Sequence, residues 1–208
     1  MNQGDRKPIF IAVIGGSGSG KTWLVEKLIK RIGPDAGAIS LDSFYLDLSH
    51  LTIEERKHRN FDSPEAIDWP CLSEIMNSCR VGHAIRIPDY DFHSHCRLAK
   101  PLNWKAPELI FIDGLWLIHV KPLRKLFRWS LFLDIPSSTR LERRLDRDQK
   151  ERGREISSIR RQFKQWVEPM HRRFILPQLK WADQVLTESP NRDEWEVLTH
   201  LMQSFIAE

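Results

Sequence analysis

The segment Gly15-Gly16-Ser17-Gly18-Ser19-Gly20-Lys21-Thr22 combines small residues, a lysine and a hydroxyl at a spacing that suits phosphate chemistry. It follows an apolar, strand-like run at 9–14 and leads into an amphipathic helical pattern. Small residues let successive backbone N–H groups converge on a phosphate, and the start of a helix adds its positive dipole end. Lys21 can then reach the β- and γ-phosphates, while the Thr22 hydroxyl can ligate Mg²⁺. Because every position of this P-loop pattern is filled, we predict that residues 15–22 bind a nucleoside triphosphate.

Strand-like and helix-like patterns alternate along the rest of the chain. We predict strands at 9–14, 37–41, 84–87, 109–113, 129–134 and 184–187, and helices at 20–31, 65–79, 119–127, 137–149, 156–180 and 192–206. Such alternation is typical of an α/β fold with a mostly parallel sheet covered by helices. Ligands in these folds bind beyond the carboxyl ends of the strands. The side chains that follow predicted strands are therefore candidate site residues.

Three carboxylates lie at predicted strand ends. Asp113 follows a very apolar strand and precedes Gly114. A Walker-B acid, which holds Mg²⁺ directly or through water, has the same kind of position at the end of a strand. The alternative is that Asp113 and Gly114 only form a turn. Asp42 could take the proton from an acceptor hydroxyl, although a role in a helix cap or turn explains it equally well. Asp134 precedes Ile-Pro and is interpreted as a structural strand end.

The net charge of +4 is concentrated in one segment. Nine basic and five acidic residues lie between Arg140 and Arg161, and the rest of the chain is balanced. A solvated helix with i,i+4 ion pairs would explain such a run. Because the chain also carries a phosphate-binding loop, a basic lid that places cations over a departing phosphate is the favoured interpretation.

Composition excludes several classes of protein. A hydrophobic content of 41% and a charged content of 29% over 208 residues are typical of one globular domain. No apolar run approaches the ~18 residues of a membrane span, and residues 1–8 lack the apolar core of a signal peptide. The chain has three cysteines, at 71, 79 and 96, and they form no Cys-x-x-Cys pair. Their odd number argues against a disulfide framework. We therefore expect a cytoplasmic protein with a single domain at 1–208 and no membrane partner.

Four further segments, together with the loop at 15–22, resemble the uridine kinase family of P-loop kinases in order and spacing. They are Asp42-Ser-Phe-Tyr45, Asn60-Phe-Asp-Ser-Pro-Glu-Ala-Ile-Asp68, Ile87-Pro-Asp-Tyr-Asp-Phe-His-Ser-His-Cys-Arg97 and Arg143-Arg-Leu-Asp-Arg-Asp-Gln-Lys-Glu-Arg-Gly-Arg154. A weaker match continues to Asp183, so the resemblance covers most of the chain. It implies membership of the phosphoribulokinase/uridine kinase superfamily, with a three-layer P-loop fold, a β-hairpin excursion at about 88–106 and a basic helical lid at about 144–156.

The resemblance also implies an activity, which is transfer of the ATP γ-phosphate to the 5′-hydroxyl of uridine or cytidine. ATP, with GTP as an alternative, and Mg²⁺ would be the cofactors, and the protein would be a homo-oligomer. Asp42 would act as the base at the acceptor hydroxyl, and Thr22 and Asp113 would hold the metal. Lys21, Arg147 and Arg152 would face the phosphates.

The remaining roles concern the acceptor. By resemblance, Asp62 and Arg144 or Arg154 would hold the ribose hydroxyls, and Gln162 would complete the nucleoside end. A carboxylate beside a guanidinium suits a vicinal diol, since one accepts and the other donates hydrogen bonds. The base pocket would consist of Tyr90, Phe92 and His95, whose aromatic faces stack on a pyrimidine. Tyr45 either contacts the substrate or packs beneath the phosphate-binding loop.

Some residues depart from the family pattern. Asp113 replaces the usual Glu, Ser63 replaces a His, and His93 is an added titratable group. Two alternatives therefore remain: a related small-molecule kinase of the nicotinamide riboside, phosphoribulose or pantothenate type, and a nucleotide-dependent switch or nucleic-acid-binding protein. Acids interrupt the basic run and no RNA-binding motif is present, so we expect no nucleic-acid partner. Zinc at 93–96 is disfavoured because no second Cys/His group lies at a suitable spacing.

Overall fold

A five-stranded parallel sheet forms the centre of the computed structural model, which describes residues 7–208 apart from the side chain of Lys57. The strands are β1 (Ile9–Gly15), β2 (Ala36–Ser40), β3 (Ile85–Ile87), β4 (Tyr90–Asp91), β5 (Cys96–Arg97), β6 (Leu102–Trp104), β7 (Leu109–Gly114), β8 (Phe127–Leu133) and β9 (Gln184–Leu186). The order in the sheet is β2-β7-β1-β8-β9, and every pair is parallel. Most of the N-terminal stretch that we expected to lack a signal sequence lies outside the described residues.

Helices connect the strands on both faces. They are α1 (Lys21–Ile32), α2 (Ile53–Lys57), α3 (Trp69–Arg80), α4 (Lys121–Arg124), α5 (Ser137–Arg152), α6 (Ile156–Gln162), α7 (Glu168–Met170) and α8 (Arg192–Ala207). Short 3₁₀ helices cover Leu41–Phe44, Pro64–Ala66 and Leu176–Trp181, and π-helical stretches cover Phe163–Val167 and His171–Ile175. Between Ile156 and Trp181 the chain is therefore continuously helical with two wide turns.

Two hydrophobic cores lie on opposite faces of the sheet. Along β1, Phe10, Ala12 and Ile14 pack in one core, while Ile11 and Val13 pack in the other. The second core is closed by apolar residues of α1 and α8, and the first by residues of α3 and the long helical segment. Because both faces are buried, the strands read as continuous apolar runs. The predicted three-layer α/β fold is confirmed.

Most predicted elements are present, and two predictions were wrong in part. The predicted helix at 119–127 is only the four residues of α4, because residues from Phe127 onward pair with β1 as β8. The predicted helix at 65–79 begins later, because the side chain of Asp68 caps α3 by accepting from the Cys71 N–H. The sequence analysis did not predict α2, although Thr52 and Glu55 form a capping box at its start.

The predicted strand at 84–87 forms outside the parallel sheet. As β3 it pairs antiparallel with β6, and β4 pairs antiparallel with β5 beside it. Of these strands, β4, β5 and β6 lie within the predicted excursion at 88–106, and β3 lies just before it. The basic lid predicted at 144–156 consists of the end of α5, a turn at Gly153 with φ of 59°, and the start of α6. Within the described residues, no helix has both the length and the apolar character of a membrane span.

Gln178 ties the long helical segment to the loop that follows β7. Its side chain is fully buried, and its Oε1 accepts from the N–H groups of Ile118 and His119 at 3.1 and 2.9 Å. Its Nε2 donates to the carbonyl oxygens of Leu115 at 2.7 Å and Phe174 at 3.1 Å. One amide therefore satisfies backbone groups of two segments and fixes the bulky loop next to Asp113, which the sequence analysis did not anticipate.

We expect the substitution Gln178→Leu to lower the free energy of unfolding by at least about 2 kcal/mol, because it leaves several buried backbone groups without partners. Urea denaturation monitored by tryptophan fluorescence measures this change. The matched substitution Gln203→Leu, on the exposed face of α8, should change stability by less than about 0.5 kcal/mol. Equal effects of the two substitutions would contradict the role assigned to Gln178.

Candidate active site

A cavity of about 970 Å³ opens at the carboxyl ends of β1, β2 and β7. All predicted site residues line it except Gly15, Gly16 and Ser19, which belong to the same phosphate-binding loop. Three segments that are distant in sequence supply its far wall: the turn around Asp62, the hairpin at 90–97 and the lid. The sequence-predicted residues are therefore brought together at one site.

The phosphate-binding loop has the backbone conformation that its glycines suggest. Gly18 and Gly20 have φ angles of 80° and 94°, in the left-handed region that favours glycine. A Cβ atom at Gly18 would clash with the carbonyl oxygen of Arg140. The ammonium group of Lys21 donates to the carbonyl oxygens of Gly15 at 3.0 Å and Gly16 at 3.1 Å. The loop is thus tightly turned, and the side chain of Lys21 lies against its backbone.

Thr22 and Asp113, the two residues predicted to hold the metal, lie next to each other. The Thr22 hydroxyl donates to Oδ2 of Asp113 at 2.7 Å. Burial raises the pKa of Asp113, and the positive charge of Lys21 and the Thr22 hydrogen bond oppose this effect. Burial also lowers the pKa of Lys21, while Asp113 and Asp42 act in the opposite direction. The ammonium group of Lys21 thus stabilises the charged form of Asp113, whereas the nearby charge of Asp42 disfavours it.

At the opposite end of the cavity, Asp62 faces two arginines. Burial raises its pKa, and the charges of Arg144 and Arg154 oppose this rise. Both arginines donate to Oε1 of Gln162, at 2.9 Å and 2.7 Å. Arg144 also donates to Oγ of Ser17 in the phosphate-binding loop at 2.8 Å. Hydrogen bonds therefore connect the two ends of the cavity.

Aromatic rings line the wall between Asp62 and the hairpin. Phe61 and His95 are stacked, with centroids 4.2 Å apart and an interplanar angle of 14°. Tyr45 packs against Tyr90 at 5.2 Å, and its hydroxyl donates to the carbonyl oxygen of Phe61 at 3.1 Å. His95 has a φ of 55°, and its buried Nδ1 has no hydrogen-bond partner among the described residues. This wall offers flat faces and one polar ring atom.

Arg152, predicted to face the phosphates, also contacts this wall. Its guanidinium lies over the ring of Phe92 at 4.4 Å from the centroid, and desolvation lowers its pKa. The charges of Asp148 and then of Asp42 oppose that fall in the pKa. Arg147 lines the same cavity. The lid arginines therefore lie above both halves of the site.

Asp148, in the lid, is a charged site residue that the sequence analysis missed. Its side chain is completely buried and contacts the guanidinium groups of Arg144, Arg147, Arg152 and Arg154. Although burial by itself raises its pKa, the arginines, led by Arg147 and Arg144, hold the pKa below its ordinary value. Asp148 is spaced four residues from Arg144 and from Arg152, so its position on one helix face was a usable sequence signal.

Arg140 and His171 pack against the phosphate-binding loop at Gly16. The sequence analysis did not select either of them as a site residue. Arg140 is 2% exposed, pairs with Glu168 at 2.8 Å and donates to the carbonyl oxygen of Ile135. Burial and then the charge of Arg140 lower the pKa of His171 to about 4, which keeps the ring neutral. A Cβ at Gly16 would lie only 2.8 Å from polar nitrogens of both side chains. No local sequence pattern indicates such contacts between residues that are far apart in the sequence.

Comparison with known proteins agrees with this geometry. Residues 10–194 match the Phosphoribulokinase / Uridine kinase family. The chain belongs to this family. Uridine kinase of Staphylococcus haemolyticus is 35% identical over 200 residues, a match that covers 95% of this chain and 97% of the relative. Uridine kinase of Staphylococcus aureus strain JH9 is 34% identical with the same coverage.

Solved structures show that the fold of this family member is that of P-loop kinases. Phosphoribulokinase from Rhodobacter spheroides superposes with a TM-score of 0.60 at 17% identity, covering 89% of this chain and 72% of that chain. D-glycerate 3-kinase from Cryptococcus neoformans superposes with a TM-score of 0.53 at 16% identity, covering 79% and 78%. The family match and the fold together make the chain a P-loop kinase.

A second, smaller cavity of about 320 Å³ adjoins the phosphate-binding loop of this kinase. Trp23, Leu133 and Pro190 provide apolar walls, and Ser19 and Gly20 form the edge next to the loop. Arg143 also lines this cavity and donates to the carbonyl oxygen of Ser19 at 3.0 Å. The sequence analysis missed Trp23 and Arg143, although they lie next to residues that it selected.

We expect Gly18→Ala to weaken binding of ATP at least tenfold, because the new methyl group clashes with the Arg140 carbonyl and the left-handed backbone becomes strained. Isothermal titration with an ATP analogue measures the affinity. Gly82→Ala is a matched control, since Gly82 has a φ of 73° with no atom within 4 Å of an added Cβ. It should bind the analogue like the wild-type protein. Wild-type affinity in Gly18→Ala would contradict the role of the loop.

Proposed function

We propose that this protein transfers the γ-phosphate of ATP to the 5′-hydroxyl of a pyrimidine nucleoside, uridine or cytidine. The observation that carries this proposal is that one cavity holds a phosphate-binding loop at one end and a carboxylate, that of Asp62, with arginines and aromatic walls at the other. The 35% identity to a uridine kinase over 95% of the chain supports the same acceptor.

The phosphate end would hold ATP. Backbone N–H groups of residues 15–22 and the ammonium group of Lys21 would bind the β- and γ-phosphates. The apolar cavity beside Ser19 and Trp23 lies next to this loop and has room for a nucleobase. An aromatic ring and a guanidinium, those of Trp23 and Arg143, would contact its faces. These residues fit ATP, and GTP remains the alternative.

Thr22 and Asp113 fit a magnesium ion, because hydroxyl and carboxylate oxygens are the ligands that this ion prefers. The 2.7 Å hydrogen bond between them shows that both oxygens already point to one place. Bound with ATP, Mg²⁺ offsets negative charge on the phosphates. The aspartate at 113 is one methylene shorter than glutamate, so a bridging water would complete its contact.

The acceptor end would hold the nucleoside. Asp62 would accept hydrogen bonds from the ribose hydroxyls, and Arg144 or Arg154 would donate to them. The rings of Tyr90, Phe92 and His95, with Phe61 as an added member, would contact the pyrimidine, and the unpartnered Nδ1 of His95 is available for a polar edge. Gln162 would keep both arginines in place. Tyr45 would pack behind these rings.

Asp42 would orient and deprotonate the 5′-hydroxyl between these two ends. It lines the cavity, and its charge acts on both Lys21 and Arg152. Arg147 and Arg152 would stabilise the transferring phosphoryl group and exclude water when the lid closes. Without such closure the enzyme would hydrolyse ATP. A cytoplasmic location and a homo-oligomeric state stay predictions from the sequence.

The acceptor is tested by incubating the protein with ATP·Mg²⁺ and, separately, uridine, cytidine, adenosine, nicotinamide riboside, ribulose 5-phosphate and pantothenate. Chromatography identifies the phosphorylated product. We expect monophosphates from uridine and cytidine alone. Turnover of a different compound would replace the pyrimidine assignment, and ATP binding without any phosphorylated acceptor would favour a nucleotide-dependent switch.

We expect Asp42→Asn to lower kcat by about 10²–10⁴-fold, the range of a general base, with little change in ATP affinity. Steady-state kinetics with saturating substrates measures the effect. Asp35→Asn makes the same change in an exposed residue just before β2 and should leave kcat unchanged. Near wild-type turnover in Asp42→Asn would remove this residue from the mechanism.

A pH profile tests the role of Asp62. Because burial raises the pKa of Asp62 above its ordinary value, the carboxylate takes up a proton at a higher pH than an exposed aspartate and then ceases to accept from the ribose. We expect kcat/KM for uridine, at saturating ATP·Mg²⁺, to fall as the pH decreases through this raised pKa. In Asp62→Asn the residual activity should lack this acidic decline. An identical profile in the variant would contradict the assignment.

A further inference from the structure

The two carboxylate oxygens of Asp148 serve two different pairs of arginines. Oδ1 accepts from Nε and Nη2 of Arg147 at 2.9 and 2.7 Å and lies 3.9 Å from Nη1 of Arg152. Oδ2 lies 3.5 Å from Nε of Arg144 and 3.3 Å from Nη1 of Arg154. We call Arg147 and Arg152 the phosphate pair, and Arg144 and Arg154 the acceptor pair.

The two pairs act mainly on different halves of the cavity, although Arg144 also donates to Oγ of Ser17 and Arg152 also lies over the ring of Phe92. The charge of Arg147 acts on Lys21 of the phosphate-binding loop, and the charge of the strand-end acid Asp42 acts on Arg152. The acceptor pair acts instead on Asp62. Both members of the acceptor pair also donate to the same oxygen of Gln162. The carboxylate of Asp148 is therefore a direct link between the groups assigned to ATP and those assigned to the acceptor.

The four arginines around Asp148 require a negative charge between them. The Asp148 side chain is 0% exposed, and the four arginine side chains around it are between 7% and 33% exposed. Like charges at such separations repel one another strongly when water is largely excluded. An amide in place of the carboxylate would lose the negative charge and present two N–H donors where one pair of arginines needs an acceptor.

The backbone at Asp148 performs a separate task. Its carbonyl oxygen accepts from the N–H groups of Gly153 and Arg154, which ends α5 and turns the chain back toward the cavity. These bonds do not involve the side chain. A side-chain substitution at 148 therefore leaves these two backbone hydrogen bonds possible while it removes the link between the arginine pairs.

We propose that Asp148 is a positioning residue that couples the ATP site to the acceptor site, an inference that rests on the proposed function. When phosphates attract the phosphate pair away from Oδ1, the carboxylate is left to the acceptor pair. It then holds those guanidinium groups firmly beside Gln162 and Asp62. Binding of ATP thus strengthens binding of the nucleoside, and by thermodynamic reciprocity the nucleoside strengthens binding of ATP.

Calorimetric titration of uridine, with and without the non-hydrolysable analogue AMP-PNP and Mg²⁺, measures this coupling. In the wild-type protein we expect the analogue to tighten uridine binding by about five- to 150-fold, the usual range for coupled sites. In Asp148→Asn we expect less than about a twofold change. Asp146→Asn is the matched control: it removes the same charge from the same helix, where Asp146 is 66% exposed and pairs with Lys150 at 2.7 Å. The control should keep wild-type coupling.

Several results would overturn the inference. They are absence of coupling in the wild-type protein, retention of coupling in Asp148→Asn, and loss of coupling in Asp146→Asn. Thermal unfolding establishes whether Asp148→Asn is folded. If it is not, Asp148→Glu decides the question, because it keeps the charge but shifts the oxygens by one methylene. Coupling weakened at least threefold in Asp148→Glu supports the inference, and wild-type coupling in this variant overturns it.

Hydrogen exchange provides a readout that does not depend on the identity of the acceptor. We expect AMP-PNP and Mg²⁺ to slow exchange of backbone amides in α6, next to the acceptor pair, in the wild-type protein and in Asp146→Asn but not in Asp148→Asn. If uridine and cytidine are not phosphorylated but this difference is observed, the proposed function fails while the coupling role stands. If uridine is phosphorylated and the difference is absent, the coupling role fails alone.

Discussion

Parallel pairing of β1 with its two neighbours is the interaction on which the rest of the site depends. The register places Val13 opposite Asp113, so the strand that leads into the phosphate-binding loop runs beside the strand that carries this buried acid. On the other side of that acid, Ser40 of β2 is also paired with Asp113. Because all these strands run in the same direction, their polar ends collect at one edge of the sheet. A shift of register by one residue would turn Asp113 to the opposite face.

Above this edge of the sheet, the protein buries charged side chains that a hydropathy pattern would place at the surface. The buried face of α5 consists of Arg140, Arg144 and Asp148, spaced at four-residue intervals. Each is stabilised by a partner from elsewhere or by its neighbour on the helix, as Arg140 is by Glu168. Buried charges are tolerable only when they are paired in this way. This helix is therefore held by ion pairs as well as by apolar contacts.

The acceptor end has a different physical basis. Its aromatic wall comes from two segments, the turn that contains Phe61 and the hairpin that contains His95. Arg97 holds the base of the hairpin by an ion pair to Asp68 at 3.0 Å and by hydrogen bonds to the carbonyl oxygens of Phe44 and Tyr45. The same arginine thus ties the hairpin to the segment that carries Asp42. The hairpin and the edge of the sheet are therefore connected by hydrogen bonds from this arginine to backbone carbonyl oxygens.

Sequence by itself determined what depends on local pattern. Continuous apolar runs predict buried parallel strands, glycine spacing predicts the loop at 15–22, and the acid after β7 is predicted by its position at the strand end. Family resemblance extended this to the acceptor residues. The predicted helix at 119–127 was wrong in part: α4 covers four of its residues, and its last residue, Phe127, instead pairs with β1 as the start of β8. Only the tertiary structure decided which charged residues are buried. A charged helix face is compatible with solvent or with an interior, and the choice is made by distant partners, which for Asp148 include Arg154 beyond the end of the helix.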